Sequence, residues 1–310
     1  MMVSVCVITY KHEQFIEQTL ENILSQQVNF DFEVIVSDDC SPDNTVAVIN
    51  DFIARHPKGH LVKFYPQEKN IGVLPNFIFA LKACTGKYTA ICEGDDYWTN
   101  NTKLQQQVDF LEANTDYAIC FHKASIVYGE GVEPGYPEIN RHTPGTTTIN
   151  DLAGGNFIHT PTVIFRNIMK GDFPAWFSTA YPGDWPLHIF NACYGKIKFM
   201  PLEMSAYRVH QGGVHSTKYK NIQYHQKILP TLKNLLAYIT EKDPALATGR
   251  FYHMLKLRIN MIDNSRNRFK RAYGLLNAGL HLKAKKVILF FWLPIVAGKH
   301  TKKQWDWLCS

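Results

Sequence analysis

Three carboxylates crowd into the tetrapeptide Glu93-Gly94-Asp95-Asp96. Carboxylates this close repel one another unless a cation neutralises them. A hard divalent ion, shared between protein carboxylates and substrate phosphates, is the common arrangement for Mg2+ or Mn2+. Gly94 permits a tight turn and a close backbone approach. The alternative is a solvated acidic loop. A second acidic pair, Asp38-Asp39, precedes Ser41-Pro42-Asp43-Asn44-Thr45, which reads as a turn entering a helix capped by Asp43 or Asn44. One aspartate of the pair could instead accept a hydrogen bond from a nucleotide base or a ribose hydroxyl. Asp184, in Pro182-Gly183-Asp184-Trp185-Pro186, reads on its own as a helix N-cap ahead of Leu187, Ile189 and Phe190. Arg208 and His210 stand two apart, so an extended backbone would aim both to one side. There a guanidinium suits a diphosphate and an imidazole could complete a metal shell.

The elements that must position these groups alternate. Residues 3–8, 32–36, 61–65, 88–92 and 118–122 read as strands. Phe15, Ile16, Leu20, Ile23 and Leu24 recur at helical spacing, as do Val46, Ile49, Phe52 and Ile53, and then Leu74, Phe77, Ile78 and Leu81. Such alternation predicts an α/β fold with a mainly parallel sheet covered on both faces. In sheets of this kind ligands bind beyond the carboxyl ends of the strands. Strand one ends in Thr9-Tyr10, strand two in Ser37-Asp38-Asp39 and strand four in Glu93-Gly94-Asp95-Asp96, so one rim should gather all three. Residues 123–180 are rich in Gly, Pro and Thr and predict loops with short strands. Long helical patterns follow residue 217, over 222–239 and 251–278.

The net charge of +6 hides an asymmetry. Residues 1–216 hold 15 Lys+Arg against 23 Asp+Glu, a balance of −8; residues 217–310 hold 18 against 4, a balance of +14. The expected division is therefore 1–216 as one domain, with halves 1–122 and 123–216, followed by a basic helical region over 217–310. Seven cysteines without a C-x-x-C pair read as free thiols of a reducing compartment. No signal peptide is visible, and the apolar run 287–298 is about half the ~20 residues a spanning helix needs. A cytoplasmic protein is expected. Lys283, Lys285, Lys286, Lys299, Lys302 and Lys303 flank that aromatic-rich run, which suits a helix docked on an anionic inner membrane face. The alternative is a core helix packed on the catalytic domain. No module for reading nucleic acid accompanies the charge.

Taken in order, several of these segments resemble the motifs of family 2 inverting glycosyltransferases. They are Ile8-Thr9-Tyr10, the run from Val36 to Thr45, Asn70-Ile71-Gly72, Glu93 to Trp98, Gly183 to Leu187, Gly195-Lys196-Ile197 and Tyr207 to Ser216. The match spans about 1–216. It implies a GT-A fold, a nucleotide-diphosphate sugar donor of the UDP type, a Mn2+ or Mg2+ ion, and a role in bacterial polysaccharide synthesis with a glycan or lipid-linked acceptor. By the resemblance Thr9 and Asp39 contact uracil and ribose, with Tyr10, Asp38 and Asn70 beside them. Asp95 binds the metal, whose shell His210 could complete, Asp96 holds the donor sugar or supports the site, Glu93 stands at the nucleotide or metal contact, Arg208 meets the diphosphate, and Asp184 is the base. His215 and Ser216 would lie on a loop over the diphosphate. Three departures stand out: Glu93 and Gly183 where the family more often has Asp and an acid, and Cys40 where it has Gly. Cys40 implies a backbone there without positive φ. Two other readings predict different chemistry: a metal-dependent nucleotidyltransferase, against which the lack of a Gly-rich phosphate loop counts, and a donor-binding subunit without catalysis.

Overall fold

The computed structural model describes residues 1–135, 143–213, 222–242, 249–260 and 262–263. Strands β1 (Val3–Thr9) and β2 (Phe32–Asp38) are buried along their whole length, as apolar strands covered on both faces must be. Helices α1 (Ile16–Leu24) and α2 (Thr45–Arg55) connect onward to β3 (Val62–Pro66), α3 (Val73–Ala83) and β4 (Tyr88–Ile91). Then come β5 (Tyr97–Trp98), α4 (Lys103–Ala113), β6 (Tyr117–Tyr128), β7 (Thr146–Thr147), α5 (Ile149–Leu152) and β8 (Ile164–Arg166). Helix α6 (Asp184–Ala192), strand β9 (Lys196–Val209) and helix α7 (Ile222–Lys242) complete the labelled elements, and residues 250–260 are helical.

One nine-stranded sheet runs β3-β2-β1-β4-β8-β6-β9-β5, with β7 also on β9. The pairs β1–β2, β1–β4, β2–β3 and β6–β9 are parallel. Strand β8 is antiparallel to both β4 and β6, so these two point the same way. Strands β1, β2, β3, β4, β6 and β9 therefore share one direction and bring their carboxyl ends to one rim. The expected α/β class and mainly parallel sheet are present. The reversed β8 is three residues long and lies in the stretch expected to hold short strands. β6 runs beyond its expected end at residue 122 to Tyr128, where its mostly half-buried outer part pairs with β9.

Two hydrophobic cores lie on the two faces of the sheet. One holds Ile16, Leu20 and Ile23 of α1, Ile49 and Phe52 of α2, and Leu104, Val108 and Leu111 of α4. The other holds Leu74 and Phe77 of α3 with Trp185, Leu187 and Phe190 of α6. Leu232, Leu235 and Ile239 of α7 and Phe251, Leu255 and Ile259 join this second core. Apolar burial at roughly 25 cal/mol per Å2 is what fixes these helices against the sheet. The described part of the C-terminal region thus packs beside the helix that begins with Asp184.

Candidate active site

At the rim lies a cavity of 620 Å3, into which Thr9, Tyr10, Asp39, Asn70, Glu93, Asp95, Asp184 and Arg208 project. His12 lines both this cavity and an adjoining open cleft of 880 Å3, where His210 stands. Asp38 and Asp96 are buried behind the rim.

The turn after β2 is saturated with hydrogen bonds. Asp38 accepts from the Ser41 N–H at 2.8 Å and from the Ser41 hydroxyl at 2.5 Å, so its carboxylate is a turn lock and does not face the cavity. Between them Cys40 adopts φ 58°, which overturns the expectation that its backbone needs no positive φ. The lock holds a conformation that costs a non-glycine residue about 1–2 kcal/mol. Asp39 continues the β1–β2 ladder by donating its N–H to Thr9 O at 3.0 Å. Its two carboxylate oxygens accept from the N–H groups of Ile71 (2.7 Å) and Gly72 (3.0 Å), while Asn70 Nδ2 donates to Asp39 O at 3.0 Å. Asn70-Ile71-Gly72 is thus a clamp on Asp39. Each clamped oxygen keeps a second lone pair.

The loop after β4 is the opposite case. Asp95 Oδ2 lies 3.0 Å from His210 Nε2 and 3.7 Å from His12 Nε2. Asp95 Oδ1, Asp96 Oδ2, His12 Nδ1 and Thr9 Oγ1 are buried without a hydrogen-bond partner. One ligand atom each from His12, Asp95 and His210 lies within 4.8 Å of the others, and Glu93, Asp95 and Asp96 form a second such set. Orphaned acceptors around convergent ligand atoms fit a bound cation. Two imidazoles beside a carboxylate suit Mn2+ better than Mg2+, which keeps oxygen ligands. Gly94 is required here: a Cβ on it would lie 2.8 Å from Thr9 Oγ1 and 2.9 Å from His12 Nδ1.

Charge crowding shows in the titration of the cluster. Burial, then the charges of Asp95 and Asp184, push Glu93 up to about 8. Burial, then Asp95 and Glu93, raise Asp96 well above the usual carboxylate range. Burial works to raise Asp95 too, but the His210 hydrogen bond and the His12 charge hold it below its ordinary value. Burial lowers His12, opposed by the charge of Asp95.

Arg208 braces this loop. Its N–H donates to Asp96 Oδ1 at 2.8 Å, its Nη1 to Asp95 O at 2.5 Å, and its Nη2 to Gln18 Oε1. The guanidinium stacks 4.3 Å from the Tyr97 ring centroid. Arg208 and His210 do reach the same residue, Asp95, as their spacing predicts, but these guanidinium donors serve the loop itself.

Across the cavity, Gly183 is the N-cap of α6 and Asp184 its first residue, one position later than the cap reading places it. Asp184 Oδ1 accepts from the Trp185 N–H at 2.8 Å and Oδ2 from Asn156 Nδ2 at 2.7 Å. A Cβ on Gly183 would lie 2.5 Å from Leu74 Cδ1. The Leu74 side chain would have to shift to admit any side chain at position 183. Three site residues have no counterpart in the sequence reading. His12 had a legible signal, since it follows Thr9 by three on the same rim; Asn156 and Arg258 had none. His215, Ser216 and the 283–310 segment lie outside the described residues. Among the described residues no helix is long and apolar enough to cross a membrane.

Residues 4–169, more than half of the chain, match glycosyl transferase family 2. Uncharacterized protein Rv1520 of Mycobacterium tuberculosis is 35% identical over 218 residues, which cover 70% of this chain and 61% of that protein. The chain thus spans about three-fifths of the length of that relative. The Escherichia coli protein WfaP, described as UDP-Glc:alpha-D-GlcNAc-diphosphoundecaprenol beta-1,3-glucosyltransferase, is 27% identical over 244 residues, covering 74% of this chain and 86% of WfaP. Residues 1–349 of S. aureus TarS, solved with UDP-GlcNAc, superpose with a TM-score of 0.60 at 20% identity, covering 89% of this chain and 75% of that one. Likeness at that identity gives the fold, GT-A. The chain belongs to glycosyl transferase family 2.

Proposed function

We propose that this chain is an inverting glycosyltransferase that moves a sugar from a UDP-sugar to a hydroxyl of a glycan or lipid-linked acceptor in bacterial surface polysaccharide synthesis. The carrying observation is that a clamped aspartate, a partner-starved carboxylate between two histidines, and Asp184 share one 620 Å3 cavity at the strand ends. That volume lies within the ~300–1,000 Å3 of ordinary ligand sites. The UDP specificity and the lipid-linked acceptor are favoured by what WfaP is said to use and by the UDP-GlcNAc bound to TarS.

Asp39, with Thr9 beside it, receives the nucleotide, offering its remaining lone pairs to base or ribose donors. Tyr10 borders the same end. Asp95, His210 and His12 would hold a divalent ion, Mn2+ by their donor set, whose Lewis acidity would stabilise the diphosphate leaving group. Arg208 keeps Asp95 and Asp96 in register. Glu93, raised to about 8 in the metal-free protein, lies where it can meet the donor sugar.

Asp184 takes the proton of the acceptor hydroxyl as that oxygen bonds to the anomeric carbon. The bond from the anomeric carbon to the diphosphate oxygen breaks in the same displacement, so UDP leaves and the anomeric configuration inverts, as in the related inverting hydrolases. Asn156 and the Trp185 N–H fix the carboxylate's orientation.

The test is incubation with UDP-glucose or UDP-GlcNAc, Mn2+ and a panel of acceptors, with release of UDP measured. The anomeric proton coupling of the product is read by NMR. UDP release with a product of opposite configuration to the donor supports the proposal; a product of retained configuration would contradict inversion, and no turnover of any nucleotide sugar would contradict the transferase reading.

A further inference from the structure

Asp184 is flanked in sequence by two aromatic residues, Tyr181 and Trp185, and each carries a cation supplied from beyond residue 217. The Arg258 guanidinium lies 4.9 Å from the Trp185 ring centroid. Lys227 Nζ, on an exposed position of α7, lies 5.6 Å from the Tyr181 ring centroid. The Trp185 ring is fixed, and the Tyr181 backbone is tied to α7. Trp185 is buried and its Nε1 donates to Leu152 O at 2.9 Å, and the Tyr181 N–H donates to Thr231 Oγ1 of α7 at 2.8 Å. A guanidinium stacked on an immobile ring has its plane set in advance, and with it the direction of its donors.

Arg258 lines the same cavity as Asn156 and Asp184. Gly155 borders it closely: a Cβ there would lie 3.7 Å from Arg258 Nη1. Among the described residues lining the cavity, Arg208 and Arg258 carry the permanent positive charges. Arg208 is engaged with the Asp95 carbonyl and Gln18 at the donor end. Arg258, stacked on the ring that follows Asp184 in sequence, places its charge at the acceptor end. A neutral glycan hydroxyl gains little from a cation there, whereas an anionic acceptor approaching Asp184, Glu93 and Asp95 needs one.

We propose that Arg258, with Lys227 at the rim, selects an acceptor carrying a phosphate near its attacking hydroxyl. This rests on the reading of Asp184 as the acceptor-side base. The fork of Arg258 takes two phosphate oxygens, a charge-assisted and geometrically specific pairing, and so holds the hydroxyl over the Asp184 carboxylate. The phosphate can belong to a lipid-linked sugar diphosphate or to a polyol-phosphate chain.

The experiment uses the full chain saturated with UDP and Mn2+. Three probes are titrated calorimetrically: farnesyl-diphospho-N-acetylglucosamine, a glycerol phosphate trimer, and methyl N-acetylglucosaminide as the uncharged control. At least one phosphate probe is expected to bind about tenfold more tightly than the control. Arg258→Gln removes that gain, Arg258→Lys keeps part of it, and Lys227→Gln reduces it by about two- to threefold. Whichever phosphate probe binds more tightly identifies the source. Equal affinity of the wild type for phosphate and control probes would overturn the proposal, as would an Arg258→Gln protein that still prefers phosphate. Lys227→Gln serves if Arg258→Gln no longer binds UDP. If the wild type itself fails to bind UDP, the donor site reading falls first, and this one with it.

Discussion

Two acidic clusters stand at neighbouring strand ends and are built in opposite ways. At Asp38-Asp39 all four carboxylate oxygens accept hydrogen bonds from the protein. At Asp95-Asp96 one oxygen of each carboxylate is buried with no partner, and two imidazoles converge on Asp95 Oδ2. The first cluster is finished by the chain itself, because its backbone N–H groups neutralise it locally. The second keeps carboxylate oxygens without a partner, which fits an added cation. The contrast separates a turn satisfied by its own chain from the cluster proposed to hold a metal, although sequence alone shows both as runs of aspartate.

The largest expected effect lies opposite both clusters. Asp184→Asn should lower the transfer rate by about 10²–10⁴-fold while UDP affinity stays near that of the wild type; steady-state rates and a UDP titration check both halves. Within the comparison, Asp38→Ala should destabilise the metal-free protein by about 1–3 kcal/mol, since it strands the Ser41 donors. Asp95→Asn should cost the metal-free protein less than this, because one oxygen of Asp95 already lacks a partner and an amide oxygen can keep the His210 contact. Thermal melts in a chelator measure the pair, and equal destabilisation by both changes would erase the distinction drawn between the clusters.

The pH dependence sharpens the same contrast. Glu93 has its folded-state pKa raised to about 8, above the ordinary 4.5. Between those values the unfolded chain has lost a proton that the folded protein retains. Metal-free stability should therefore fall as pH rises from about 4.5 to 8, by roughly 1.4 kcal/mol per pH unit at most, with Asp96 adding in the same direction. Glu93→Gln should flatten this slope, as melting temperatures across the window would report. The smallest effect concerns the turn lock. Cys40→Gly should stabilise the protein by about 1 kcal/mol, because glycine adopts φ 58° without strain. A neutral or destabilising result in chemical denaturation would show that the lock had already relaxed the strain.

Much of the donor side was legible because each of its strands is a short apolar run ended by polar residues. Val3 to Ile8, Phe32 to Val36 and Tyr88 to Cys92 announce β1, β2 and β4, and the polar endings of the last two lead into Asp39 and Asp95. The acceptor side was harder to read for physical reasons. β8 is three residues long, too short to show a period, and the outer half of β6 is half-exposed. Asp38 and Asp39 could not be told apart, since only the turn geometry decides which faces inward. Arg208 in β9 and His210 just beyond it both reach Asp95, yet the destination of the guanidinium depended on Gln18 and Asp95, distant in sequence. Asn156 reaches Asp184 across 28 residues, and Arg258 reaches Trp185 from another helical segment. No local pattern encodes such meetings.

The direct test of the central claim is calorimetric titration of UDP into the wild type and Asp95→Asn, each with Mn2+ and with chelator. Tight binding only by the wild type with Mn2+, weakened about 100-fold or more by either removal, is the predicted result. UDP binding that is equally tight without metal, or unchanged in Asp95→Asn, would contradict the assignment of the starved cluster as the cation site.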